Sequence, residues 1–208
     1  MSSAPSGPTL SGEVIADYRT LPARIIGWSM VAGSVVLATL TVLDVSMGRD
    51  EGLLFPVALV CGIAAVSWAL FLRPRVRLRT DGVELVNVVT DTVVPFGAVE
   101  EVTHRWALEL HDTQGRRHSA WAVPVRRERT RRAALDDFAE TTRRRGSVGT
   151  TAQGVADEVQ RALQRWRLDG GQLEDRAVAA TRAVQSVAWP AVTVLSVAVV
   201  LSVLAVLA

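Results

Sequence analysis

Three long stretches without a single Asp, Glu, Arg, Lys or His residue are the strongest constraint that this sequence imposes. They cover residues 25–43, 52–72 and 188–208. Each approaches or exceeds the length of about 20 apolar residues that an α-helix needs to cross roughly 30 Å of hydrocarbon. The chain is 49% hydrophobic and 21% charged, which fits apolar residues gathered into blocks around a polar middle. The sequence therefore predicts an integral membrane protein with an N-terminal two-helix hairpin and a C-terminal transmembrane helix.

The positions of Arg residues around these stretches predict the topology. Six of them flank the first two stretches: Arg19, Arg24, Arg73, Arg75, Arg77 and Arg79. Basic residues next to a span hold a segment on the cytoplasmic side, and residues 44–51 are long enough only for a turn. We therefore expect a multi-pass protein of the cell membrane, with the N-terminus and residues 73–187 in the cytoplasm and the C-terminus outside. Because the stretches carry no ionisable residue, they are typical of an anchor rather than a transporter or channel.

Residues 73–125 have the composition and alternation of short strands. Apolar residues alternate with Arg before the turn signal Asp81-Gly82, and the alternation resumes after it. The alternation from Val102 to Leu110 favours one strand, and residues 112–115 predict a second turn before a strand that ends at Pro124. The pattern predicts a meander of about six strands.

The apolar period changes from two to 3.6 residues after Pro124. Residues 131–145 and 155–166 predict two helices, and residues 172–187 are expected to be helical and to continue into the last span. The chain therefore divides into five segments. They are a cytosolic N-terminal segment at 1–24, a transmembrane hairpin at 25–72, a β domain at 73–125, an Arg-rich helical extension at 126–187 and a transmembrane helix at 188–208.

The β domain carries short motifs in a recognisable order. They are Arg73-Pro74-Arg75-Val76, Asp81-Gly82-Val83, Val94-Pro95-Phe96, Trp106-Ala107-Leu108-Glu109-Leu110, Gly115-Arg116-Arg117 and Ala120-Trp121-Ala122-Val123-Pro124. With the preceding membrane hairpin, this series resembles the bacterial membrane proteins that contain a pleckstrin-homology (PH)-like domain, over about residues 20–125. The resemblance implies an α+β integral membrane protein whose small, bent antiparallel barrel or sandwich is closed by a C-terminal helix. Residues 131–145 and 155–166 are both candidates for that helix, and the wider apolar stripe favours 155–166.

Two Arg clusters are the candidate contact sites. The first cluster follows the second span directly, so it is expected to contact anionic lipid headgroups. Its members are Arg73, Arg75, Arg77 and Arg79. The resemblance implies a phosphoinositide cradle in the first two strands, but Thr80-Asp81-Gly82 and Glu84 leave that cradle incomplete. The second cluster is suited to contact nucleic acid, anionic lipid or an acidic partner. Its members are Arg126, Arg127, Arg129, Arg131 and Arg132. A solvated helix face accounts for the same pattern.

No motif in the sequence indicates catalysis. His104, His111 and His118 recur every seven residues, but this odd spacing alternates faces on strands, and no Cys or acidic residue stands at ligand spacing. His104 is expected to be half-buried in the β domain. Because there is no nucleophile elbow, no phosphate-cradling loop and no pair of acids in an apolar setting, we expect no catalytic residue, no metal and no cofactor.

These observations favour a noncatalytic, membrane-anchored interaction or scaffold module on the cytoplasmic face. The expected partners are the lipid bilayer and either another protein or a second copy of the chain. Nucleic acid ranks last, because the second Arg cluster lacks interleaved aromatic residues. The alternative hypothesis is a sensor that responds to anionic lipid through the Arg residues next to the membrane.

Overall fold

The computed structural model describes residues 10–48, 52–104, 107–124, 152–171 and 182–207. In chain order, the elements are β1 (Val14–Tyr18), α1 (Leu21–Ser46), α2 (Leu54–Val66), β2 (Arg75–Arg79), β3 (Gly82–Val86), β4 (Thr90–Pro95), β5 (Val99–Thr103), β6 (Ala107–Asp112), β7 (Arg117–Pro124), α3 (Ala152–Leu168), β8 (Val184–Val187) and α4 (Trp189–Leu207). The chain divides into two units. One is Met1–Thr20 with Arg75–Ser186, and the other is Leu21–Pro74 with Val187–Ala208.

Three helices of the second unit are long and apolar enough to cross a membrane: Leu21–Ser46, Leu54–Leu72 and Trp189–Leu207. They coincide with the three predicted spans. α2 packs against both α1 and α4, and a π-helical turn, Ser67–Leu72, follows it directly. Hydroxyl groups inside these helices donate to the carbonyl one turn earlier, as Ser34 does to Met30 and Ser202 does to Ala198. These bonds satisfy the hydroxyl groups within their own helix, as a span in lipid would require.

The first unit contains two antiparallel sheets, with strand orders β1-β2-β3-β4-β8 and β5-β6-β7. Alternation along β2 and β3 buries Val76, Leu78, Val83 and Leu85, and turns the Arg side chains of β2 to the opposite face. Thr80 and Asp81 form the turn between these strands, as the Asp81-Gly82 signal predicts. Gly82 is needed for space, because a Cβ there would lie 2.6 Å from the carbonyl oxygen of Val94 on β4.

Both sheets and α3 contribute side chains to one core. Phe96, Leu108 and Leu110 are almost completely buried, and α3 adds Val155 and Val159 to the same cluster. The apolar stripe predicted for residues 155–166 is therefore confirmed, and this helix packs against the strands. The other predicted helix, at 131–145, lies outside the described residues.

Two predictions are wrong at the edge strands of the larger sheet. β1 comes from the segment assigned to the N-terminal tail, and it pairs with β2 so that Tyr18 lies opposite Val76. A helix was predicted for residues 172–187, but residues 184–187 form the strand β8 beside β4. The hydroxyl of Ser186 donates to the carbonyl oxygen of Asp91 at 3.3 Å. Both strands are four or five residues long, so pairing with a neighbouring strand outweighs their weak local preference.

The prediction of one strand from Val102 to Leu110 is wrong, as the smaller sheet shows. Val102 pairs with Leu110, and Thr103 pairs with Glu109, so the chain reverses between β5 and β6. The described residues contain eight strands, and six of them, β2 to β7, lie within residues 73–125, where about six were predicted. They form two separate sheets, because a 3-10 turn, Phe96–Ala98, carries the chain from β4 into β5 of the other sheet. The barrel implied by the resemblance is therefore not closed.

Asn87 joins the two sheets through its side-chain amide. Its Nδ2 group donates to the carbonyl oxygen of Ser119 at 3.0 Å, and its Oδ1 accepts from the backbone N–H of Trp121 at 2.8 Å. Asn87 follows β3, whereas Ser119 and Trp121 belong to β7. The amide therefore forms hydrogen bonds with two backbone groups on the free edge of β7, as a further strand would.

Candidate functional site

The two ends of the five-stranded sheet differ in what they adjoin along the chain. At one end, Tyr18 lies opposite Val76, and Arg75 lies opposite Val86. We call this the connector end, because β1 leads from it into α1 and β2 enters it from α2. At the other end, Val14 lies opposite Arg79, and Thr80 and Asp81 turn the chain into β3. We call this the turn end.

Two of the Arg residues proposed for headgroup contact form a ladder of ion pairs across three strands. Arg77 on β2 lies between Asp17 on β1 at 3.9 Å and Glu84 on β3 at 3.6 Å. Arg79 Nε donates to Glu84 Oε1 at 2.7 Å, and Arg79 Nη1 donates to the carbonyl oxygen of Gly12. Because the acids already balance these charges, Arg77 and Arg79 offer less to an anionic ligand than their sequence pattern indicates.

The other predicted contact residues stand apart from this ladder. Arg75 points to the same face, and its Nε is buried without a hydrogen-bond partner among the described residues. Arg73 follows the π-helical turn and donates its backbone N–H to the carbonyl oxygen of Trp68. The second cluster, proposed for partner contact, lies outside the described residues: Arg126, Arg127, Arg129, Arg131 and Arg132.

A buried Asp112–His118 pair closes the β6–β7 hairpin, and the sequence did not reveal it. His118 Nε2 donates to Asp112 Oδ2 at 3.0 Å, while Asp112 Oδ1 accepts from the backbone N–H groups of Gln114 and Arg116 at 2.9 and 2.8 Å. Burial alone would raise the pKa of Asp112, but these hydrogen bonds lower it below its usual value. His104, expected to be half-buried, is exposed instead.

This pair stabilises the hairpin, because both carboxylate oxygens accept hydrogen bonds inside it. An aspartate with a perturbed pKa is also a candidate for catalysis, but both side chains are almost completely buried. Within the described parts of the chain, no three His, Cys, Asp or Glu side chains are grouped to hold a metal ion. A signal was present in the sequence, since Asp112 begins a turn that contains Gly115.

The Asp112 carboxylate makes the stability of the β domain depend on acid pH. Its folded pKa is lowered, so the unfolded chain takes up the proton first as the pH falls. The stabilisation is therefore complete above the ordinary aspartate pKa of about 3.9 and is lost as the pH falls from there through the folded value. We expect chemical unfolding of the detergent-solubilised protein to show a smaller loss of stability between pH 5 and pH 3 in Asp112→Asn. An equal loss in both proteins would contradict this assignment.

A groove of about 270 Å³ lies at the turn end, between the first two strands and the C-terminal part of α3. Its lining residues are Ile15, Thr80, Ala162, Arg165, Trp166, Asp169 and Gly171. Ile15 is 44% exposed, while Arg165 and Asp169 are exposed and carry opposite charges. The groove therefore combines an apolar wall with one basic and one acidic side chain at its rim.

Packing on two sides fixes the Trp166 ring in this groove. The ring lies 6.1 Å from the ring of Phe96, at an interplanar angle of 53°. A Cβ on Gly171 would collide with the indole, so the backbone after α3 lies directly against the ring. An aromatic side chain held in this way presents a preorganised surface to a ligand, because binding costs little of its conformational freedom.

Comparisons of the chain with models of known families, with curated proteins and with solved structures find no match. The groove must therefore be interpreted from its own chemistry. A fixed indole and an aliphatic neighbour suit an apolar side chain of a ligand, and the two opposite charges suit a zwitterionic or mixed-charge ligand. An extended peptide combines both properties. The groove brings together residues far apart in sequence, and none of them belongs to either predicted Arg cluster.

Proposed function

We propose that this protein is a noncatalytic interaction module, anchored in the cell membrane, whose PH-like β domain binds a protein partner on the cytoplasmic face. The observation that carries the proposal is the groove at the turn end, with its fixed Trp166 ring. A site at this end of the sheet is remote along each strand from the residues that continue into the candidate spans. A tethered module with such a site is suited to hold a partner near the bilayer.

Strand pairing supports the topology of the proposal. β1 precedes α1, and β2 follows α2, yet the two strands are neighbours in one sheet. If α1 and α2 both cross the bilayer, the first residue of α1 and the last residue of α2 must therefore lie on the same side of the bilayer. Arg19 before α1, Arg24 in the first turn of α1 and Arg73 after α2 favour the cytoplasmic side.

The partner that we propose presents an extended segment with an apolar side chain and charges of both signs. The apolar side chain would pack on Trp166 and Ile15, which are the apolar walls of the groove. A basic and an acidic residue of the segment would lie near Asp169 and Arg165, respectively. Aromatic and Arg side chains dominate the binding energy of many interfaces, so Trp166 and Arg165 are expected to be its main contributors.

A photo-crosslinking experiment in native membranes tests this proposal. A photoreactive amino acid is placed at Thr80 inside the groove, and for comparison at Gln114, which is exposed in the β6–β7 turn outside it. We expect a defined adduct from position 80 and none from position 114. Adduct mass distinguishes a second copy of this chain from a different protein, and no adduct from position 80 would refute the proposal.

A charge reversal in the groove refines the test. We expect Arg165→Glu to reduce the adduct from position 80 about tenfold, which corresponds to about 1.4 kcal/mol of binding energy. Arg161→Glu is the matched control, because Arg161 is exposed one turn earlier on α3 and does not line the groove. Equal losses in the two variants would indicate a general electrostatic effect instead of recognition in the groove.

The alternative function, a sensor of anionic lipid, is supported by the Arg residues at the connector end. Arg75 begins β2 there, and Arg19 follows β1. The ion pairs of Arg77 and Arg79 with Asp17 and Glu84 weaken the alternative. If position 80 gave an adduct only in membranes rich in anionic lipid, both functions would operate together.

A further inference from the structure

Three strand ends of the β domain meet at the connector end, and each lies next to a candidate span in the chain. Residues 19–20 separate β1 from α1, residues 73–74 separate the π-helical turn after α2 from β2, and residue 188 separates β8 from α4. The hydrogen bond from Ser186 to Asp91 brings the end of β8 to this same end of the sheet. Two residues of extended chain span only about 7 Å, so each of these connectors is short.

Two apolar side chains are exposed at the connector end. Val89 lies in the turn between β3 and β4, and its residue is 44% exposed. Trp121 on β7 is 66% exposed, although its backbone N–H is bonded to Asn87 in that turn. The Asn87 amide therefore holds Trp121 at the connector end, independently of any packing of the indole itself.

Single exposed apolar residues are common on protein surfaces and need no explanation by themselves. The position of these two residues is what distinguishes them. Trp is enriched where a membrane meets water, because its ring is apolar and its indole N–H is a hydrogen-bond donor. Arg19 and Arg75 lie at the same end and carry the charge that anionic headgroups attract, although Arg19 also pairs with Asp17 at 3.2 Å.

We propose that the connector end of the β domain rests on the bilayer, with the Trp121 and Val89 side chains in the headgroup region. The occupant of this surface is lipid, and the three chain connections determine which end of the sheet meets it. Contact by Trp121 and Val89 restricts the orientation of the domain and directs the groove at the turn end towards the cytoplasm. This inference does not depend on a partner in that groove.

Spin labelling of the full-length protein in vesicles of phosphatidylcholine and phosphatidylglycerol tests the inference. Single Cys residues are introduced at Trp121 and Val89 in a Cys61→Ser background, and collisions with oxygen and with an aqueous nickel chelate are measured. Gln114→Cys, in the exposed β6–β7 turn, is the water-exposed control. Val200→Cys, on an exposed position of α4, is the control for the hydrocarbon core.

We expect labels at 121 and 89 to lose most of their collisions with the nickel chelate and to gain collisions with oxygen, with values between those at 114 and 200. A label at 121 as accessible to the chelate as that at 114 would overturn the inference. Low collision rates with both reagents would overturn it too, since they indicate cover by protein. If Trp121→Cys does not fold, position 89 decides by the same criteria.

Discussion

Replacing Asp112 with Ala is expected to destabilise the β domain by about 3 kcal/mol, since it removes one partner from a buried, charge-assisted network. The change leaves His118 Nε2 and the backbone N–H groups of Gln114 and Arg116 without their acceptor. These groups are held in the hairpin by the register of β6 with β7, in which Leu110 lies opposite His118. They cannot all find water without opening the turn.

Hydrogen–deuterium exchange of the full-length protein in detergent measures this effect. Amides of β6 and β7 should exchange about a hundredfold faster in Asp112→Ala, which corresponds to about 3 kcal/mol if exchange follows opening of the domain. Asp112→Asn is the matched control, because its remaining oxygen still accepts the two backbone bonds. We expect it to lose clearly less protection than Ala. Unchanged exchange in Asp112→Ala would show that the network contributes nothing to stability.

Replacing Phe96 with Ala is expected to cost about 4 kcal/mol, the range for a large aromatic side chain in a core. Phe96 is 1% exposed and lies in the turn between the two sheets, and its ring packs against Trp166 of α3. The cavity would therefore weaken the contact of both sheets with α3. The Trp166 wall of the groove would lose its support at the same time.

Thermal unfolding in detergent, followed by near-ultraviolet circular dichroism, tests this second prediction. Phe96→Ala should lower the transition temperature of the β domain, while the far-ultraviolet circular dichroism of the candidate spans persists. Phe96→Leu keeps most of the buried volume, and we expect it to lose less than half as much stability. Photo-crosslinking from Thr80 should fall in Phe96→Ala. A variant with normal stability would mean that the core does not depend on this ring.

Sequence patterns predicted the long helices well, because their hydrophobic pattern extends over many residues. The three uncharged stretches coincide with α1, α2 and α4, since length and the absence of charge are sufficient to identify a candidate span. The apolar stripe of α3 was predicted for a similar reason, as it repeats over several turns. Neither result required knowledge of a neighbouring element.

The two edge strands of the larger sheet were missed because their local signal is weak. β1 and β8 lie at the two edges of the larger sheet, and each has a single neighbour that specifies it. The reversal between β5 and β6 escaped detection because the alternating pattern continues from one strand into the next without a break. Burial of Asp112 likewise depends on pairing of β6 with β7, although the turn itself was expected.

The groove and the connector end could not be predicted, because each combines residues that only folding brings together. Ile15, Thr80 and Trp166 line the same groove from β1, the β2–β3 turn and α3. Asn87 positions Trp121 across two sheets. The Arg residues of β2 were visible in sequence, but their partners Asp17 and Glu84 lie on other strands.

The sequence by itself determined where this chain is apolar enough to cross a bilayer and which helix of the polar region carries a core face. These properties are local sums of side-chain hydrophobicity, so no neighbour changes them. Only the tertiary structure decided which strands pair, which charges are neutralised and which side chains meet in the groove. Those outcomes depend on the distance between residues remote in sequence, and the physical reason is that hydrogen bonds and ion pairs act only at short range.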